Sequence, residues 1–252
     1  MSNWLFPDRA DTAESGPDGS ADDPPSDAPD ADPEDVDPDD ADVAPLDASA
    51  VAPGTNVLVV GPPMTGKRRL LFDLVGGSAS RTGAFVTTKK PADKVAAWFA
   101  ASRPDAEDWR LSFVDATGTG DRIRPSQVAH LDDLRVVANP GDLTGVGIEL
   151  SGILRGWHHD DAADPRVGLH SLSTQLMYAD VRRVYQFLHV VTTRIATVDG
   201  VGVFTLDVTV NADTHETLRQ LFDARVEVHE ADHGPQFRVR GGDFGPRSWT
   251  DF

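Results

Sequence analysis

The twenty residues from Asn56 to Val75, NVLVVGPPMTGKRRLLFDLV, constrain this chain more than any other stretch. Val57–Val60 is a fully apolar run, which reads as a buried strand. A turn rich in glycine and proline follows it, and Lys67–Val75 reads as a helix. The turn itself, Gly61-Pro62-Pro63-Met64-Thr65-Gly66-Lys67, fits the pattern G-x-x-x-x-G-K. Glycines let the backbone curl until successive N–H groups converge on an anion. The helix that follows adds its positive end, and the lysine reaches the outer phosphates. The spacing predicts a phosphate-binding loop whose contact residues are Gly61, Pro62, Pro63, Met64, Thr65, Gly66, Lys67 and Arg68.

The rest of the chain repeats the alternation. Gly83–Thr88, Leu111–Asp115, Leu134–Asn139, Arg166–Ser171 and Val201–Asp207 read as strands. Pro91 opens a helix over ADKVAAWFAAS, and Asp142 is placed to cap LTGVGIELSGILRGW. A long helical stretch is expected up to Val198, and another helix over Thr214–Phe222. ARVEVHE and QFRVRGG alternate apolar with polar and predict a closing hairpin at the sheet edge. Strands separated by helices of 10–20 residues define an α/β fold: a mostly parallel sheet with helices on both faces and an antiparallel edge hairpin.

Two positions break the pattern of a hydrolytic enzyme. Magnesium is usually held by a loop Ser or Thr after the lysine and by a carboxylate ending a distal strand. Here the first position is Arg68, which cannot ligate a cation. The best distal strand is RVGLHSLST, and its acidic position reads His170.

Together VLVVGPPMTGKR, GDLTGVGIELSGIL, RVGLHSLSTQLMYADVRRVYQFLHVVTTRI and GVGVFTLD…HETLRQLFDARVEV span most of residues 55–230. In these segments the chain resembles the RecA/KaiC-like P-loop ATPase superfamily, above all its divergent haloarchaeal members. The resemblance implies a three-layer RecA-like domain, ATP as ligand, and assembly into a homo-oligomer. In that superfamily the distal strand ends Asp-Ser, so Ser171 matches and His170 departs. Its catalytic glutamate follows the second strand, where this chain has Thr88, Lys89 and Lys90. Three hydrolytic elements are replaced, and each removes a different part of the transition-state machinery. Arg68, Lys89 and Lys90 instead bring positive charge that neutralises phosphates without metal. The expectation is an ATP-binding regulatory or signalling protein with weak or absent hydrolysis, no catalytic residue, and no assured magnesium. Two alternatives stay open: an active ATPase using displaced acids such as Asp115 or Asp207, and a scaffold that binds no nucleotide.

Charge divides the chain. Residues 1–50 hold 16 Asp and Glu against one basic residue, Arg9. Such a segment cannot bury enough apolar area to offset its ordering entropy, so residues 1–50 are expected to be a disordered acidic tail and 51–252 the folded domain. The tail reads as a solubilising segment, or as an interaction arm with Trp4-Leu5-Phe6 as a short apolar anchor at its tip. Carboxylates repel nucleic-acid phosphates, which argues against a nucleic-acid partner. No secretory signal and no apolar run of about 18 residues is present, so a cytoplasmic protein without a membrane span is expected. Scarce lysine (Lys67, Lys89, Lys90 and Lys94), abundant Asp and no Cys suggest a halophilic origin. WHHDDAADP, Trp157 to Pro165, carries metal-binding residue types but the composition of a solvated loop. Thr205 and Asp207 end a buried strand at the sheet edge where ligands sit. Trp249 and Phe252 either dock a partner or pack on the domain's own edge.

Overall fold

β-Branched and aromatic runs become strands here wherever both faces are covered. The computed structural model describes residues 46–119, 133–160 and 162–251, all within the unit Pro38–Phe252. The tail with Trp4-Leu5-Phe6, Asp161 and Phe252 lie outside the described residues. The strands are β1 Asn56–Gly61, β2 Thr82–Thr87, β3 Arg110–Asp115, β4 Asp133–Val136, β5 Arg166–His170, β6 Val201–Asp207, β7 Ala224–Ala231, β8 Gly234–Arg240 and β9 Thr250–Asp251. The helices are α1 Lys67–Val75, α2 Ala92–Ala101, α3 Leu143–His159, α4 Leu172–Tyr178, α5 Val181–Thr197 and α6 Ala212–Arg219.

One sheet joins the strands in the order β4-β3-β2-β5-β6-β1-β7-β8-β9. Every pair from β4 to β7 is parallel, and β7-β8 and β8-β9 are antiparallel. The expected edge hairpin is β7-β8, with β9 added outside it. β1 is central, in register with β6 from Asn56↔Gly202 to Gly61↔Asp207.

Helices cover both faces. On one, Leu70, Leu71 and Leu74 of α1 and Val95, Ala96 and Phe99 of α2 pack on the sheet. Phe72, Phe85, Phe99, Phe113 and Trp109 form a chain of ring contacts there, with centroids 5.2–5.6 Å apart. Each such ring, fully buried, contributes roughly 1.5–3 kcal/mol. On the other face α3 and α5 bury Val146, Leu150, Ile153, Val184, Leu188 and Val191. Asp142 caps α3 as its position predicts, accepting from Gly145 N at 2.9 Å.

The single long helix expected up to Val198 is two helices. Ala179 is extended (φ −139°), and the Asp180 carboxylate accepts from Arg183 N at 3.0 Å, starting α5 afresh. An Asp that caps competes with continued helix, and periodicity alone does not register that. β5 ends at His170, one residue earlier than expected, because Ser171 caps α4. α6 lies two to three residues earlier than expected, since Asn211 is its cap. Among the described residues no helix is long and apolar enough to cross a membrane.

Candidate phosphate-binding site

β1 delivers its turn to the C-terminal edge of the sheet, between β6 and β7. Gly61 must be glycine, since a Cβ there would lie 2.7 Å from Val228 O. Its carbonyl accepts from Val208 N at 3.1 Å, which ties the loop to the residue after β6. Thr65 Oγ1 donates to Pro62 O at 2.8 Å and closes the loop on itself. Met64 (φ 67°) and Gly66 (φ 84°) adopt left-handed backbone, which turns successive amides the same way. Among the described residues, the N–H groups of Met64, Thr65, Gly66, Lys67 and Arg68 have no protein acceptor. Met64 is fully exposed, so its side chain leaves the cradle open.

Lys67 is buried beneath that cradle. Its ammonium donates to Gly61 O at 2.9 Å and to Pro62 O, and pairs with Asp207 Oδ1 at 2.9 Å. All three ammonium protons therefore have acceptors, and an incoming phosphate replaces one of them. Burial pulls the ammonium below the ordinary amine range, Asp207 opposes that, and Lys89 adds to it.

Arg68 points elsewhere. Its guanidinium carbon lies 4.0 Å from the ring centroid of Trp98, a cation–π contact with α2. Beside it is a cavity of about 10 Å³, lined by Arg68, Thr87, Lys90, Trp98 and His170 among others. The Thr87 hydroxyl is buried there without a partner among the described residues.

His170 ends β5, the strand beyond β6, and its Nδ1 lies 2.8 Å from Thr205 Oγ1. Burial, then the neighbouring cations Lys89 and Arg68, push its imidazole down to about 4, so it is neutral at pH 7. The next peptide, His170–Ser171, is cis. Thr88 braces it: its hydroxyl accepts from Ser171 N at 2.9 Å and lies 3.1 Å from His170 O. The position expected for a catalytic acid is therefore a backbone strut, followed by the exposed Lys89 and Lys90.

The two displaced acids differ. Asp115 is fully buried, accepting from Ala92 N (2.8 Å), Thr117 N (2.9 Å) and Thr117 Oγ1 (2.6 Å). It starts α2, and both of its oxygens are committed to that structural work. Asp207 is at the site but held by Lys67. The arrangement fits an anion and does not fit magnesium, because the hydroxyl and carboxylate positions hold a guanidinium and a neutral imidazole beside Lys67 and Lys89.

Other candidates lie apart. His158 and His159 end α3, and the loop after them leads into the start of β5, at the opposite edge of the sheet. Trp249 packs on the domain itself, 3.9 Å from the His229 ring and 4.3 Å from the Arg238 guanidinium. Sequence reasoning missed Trp98 as the platform for Arg68. It also placed Asp207 at the ligand edge without pairing it with Lys67; the equal register of Gly61 and Asp207 at the ends of neighbouring strands is the signal that connects them.

A central parallel sheet, helices on both faces and a G-x-x-x-x-G-K turn after β1 define an α/β protein of RecA-like fold. A solved KaiC-like protein, PH0186 of the hyperthermophilic archaeon Pyrococcus horikoshii OT3, shares it with a TM-score of 0.53 and 12% identity, over 79% of this chain and 83% of that one. The chain belongs to a family of unknown function, DUF7504, whose model matches residues 54–228. No curated protein matches it.

Proposed function

We propose that the protein is a nucleotide-binding regulatory protein of RecA/KaiC-like type, which holds ATP or another nucleotide and hydrolyses it slowly or not at all. One observation carries this reading: five consecutive loop amides, Met64 to Arg68, lack protein acceptors and surround the start of α1. The first amides of any helix lack intrahelical partners; here the run extends back through the left-handed Met64 and Gly66, and such a run of converging donors at a helix N-terminus is an anion cradle. The hydrolytic half of the reading rests on Arg68, His170 and Thr88 standing where a metal-binding hydroxyl, a metal-side acid and a water-activating acid are expected. The KaiC-like neighbour supports the nucleotide half by fold alone. Lys89 and Lys90, joined by Arg68 once phosphates draw it off Trp98, supply the charge that a magnesium ion brings elsewhere. Signalling follows as the use of such a site: bound nucleotide changes what a protein partner, or a second copy, meets at the sheet edge.

Thermal denaturation tests it. A ligand that binds only the folded state raises the melting temperature. Millimolar ATP in EDTA raises it for the wild type and not for Lys67→Ala. An unchanged melting temperature in both favours a scaffold that binds no nucleotide.

A further inference from the structure

Thr205 is fully buried, and its hydroxyl has one described partner, His170 Nδ1, at 2.8 Å. A buried hydroxyl proton needs an acceptor, and among the described residues only Nδ1 offers one. Thr205 therefore donates and Nδ1 accepts. In a neutral imidazole that places the proton on Nε2. Nε2 has no partner among the described residues. The ring lines the same cavity as Arg68, Thr87 and Lys90, close enough to Lys67 and Lys89 to feel their charge.

From this geometry we propose that His170 is a ligand-binding residue: Thr205 fixes its tautomer so that Nε2–H is offered as a neutral hydrogen-bond donor to a phosphate oxygen of a metal-free ligand in the Lys67 site. The proposal rests on the nucleotide-binding reading above and names the ligand state that the site takes. An acid at this position accepts, and needs a metal between itself and a phosphate. A histidine with its proton on Nε2 donates directly and needs none. The same proton excludes His170 as a metal ligand through Nε2, because ligation requires a lone pair there. Thr205 is a positioning residue and touches no ligand.

Long-range 1H–15N NMR of the full chain, with the His170 signals assigned by their loss in His170→Gln, reads the tautomer directly. The expected result is an Nε2–H tautomer at pH 7, shifted when ATP is added in EDTA. Calorimetry with the same probe separates the two readings. His170→Leu weakens ATP binding about tenfold to a hundredfold, the range for one lost hydrogen bond to a charged group. His170→Gln, which keeps a donor near Nε2, recovers most of that loss, and Thr205→Val loses the single tautomer. An Nδ1–H tautomer overturns the proposal whatever binds. ATP binding that leaves the His170 resonances unmoved overturns it while leaving the nucleotide reading intact. No heat with ATP or pyrophosphate defeats both.

Discussion

The ammonium of Lys67 and the carboxylate of Asp207 meet at 2.9 Å, at the ends of two neighbouring parallel strands. The lysine that a phosphate would contact is thus already paired, and Asp207 competes with any anion for it. Asp207→Asn removes the competitor. The variant is expected to bind ATP in EDTA about tenfold more tightly by calorimetry, since a nearby like charge opposes the ligand. It is also expected to lose about 2 kcal/mol of stability in urea titration, because Lys67 stays buried with only two carbonyls as partners. If Asp207 were instead a metal ligand, the variant would lose magnesium-dependent binding.

His170 makes stability depend on pH. Its folded pKa, about 4, lies below the ordinary 6.5 because of burial and then of Lys89 and Arg68. Between those values the unfolded chain takes up a proton that the folded chain refuses. The contribution is therefore fully present above pH 6.5 and is lost as pH falls toward 4, by up to about 3 kcal/mol. His215 is shifted in the same direction, by burial first, but is common to both proteins compared. Urea denaturation across pH 4–7 should show a shallower slope for His170→Gln than for the wild type.

Arg68 over Trp98 gives the site a reporter. If phosphates draw the guanidinium, 4.0 Å from the ring centroid, off the ring, tryptophan fluorescence changes when ATP binds. Trp98→Phe should remove that change while ATP still binds. Arg68→Ala should weaken binding in EDTA about tenfold, the cost of one charge-assisted contact.

Gly61 tests the loop's seating. A methyl group there meets Val228 O at 2.7 Å and Val228 Cβ at 2.8 Å, both on β7. Gly61→Ala pushes β1 from β7 just where the cradle begins. The expected outcome is a loss of about 1–3 kcal/mol in stability, as for other overpacked sites, together with loss of ATP binding.

Much of this molecule was legible in its sequence. The turn after β1, the length of α1, the Asp142 cap and the β7-β8 hairpin follow from local chemistry that nothing distant overrides. The break at Ala179–Asp180 did not, because both halves of 172–197 keep helical spacing and one capping carboxylate decides the matter. Asp115 shows the other limit. As a residue type at a strand end it suits catalysis, yet its oxygens are taken by Ala92 and Thr117. Only the fold reveals such commitments. Likewise the Arg68–Trp98 contact joins residues thirty positions apart, and no periodicity relates them.

The central claim is a cradle that keeps its grip on phosphate without the chemistry to split it, and ATP titration with parallel measurement of phosphate release addresses it most directly. The account predicts heat of binding in EDTA, no tightening by magnesium, phosphate release no faster than from free ATP, and loss of the binding heat in Lys67→Ala. Magnesium-dependent phosphate release that disappears in Lys67→Ala would contradict it, as would the absence of binding in either condition.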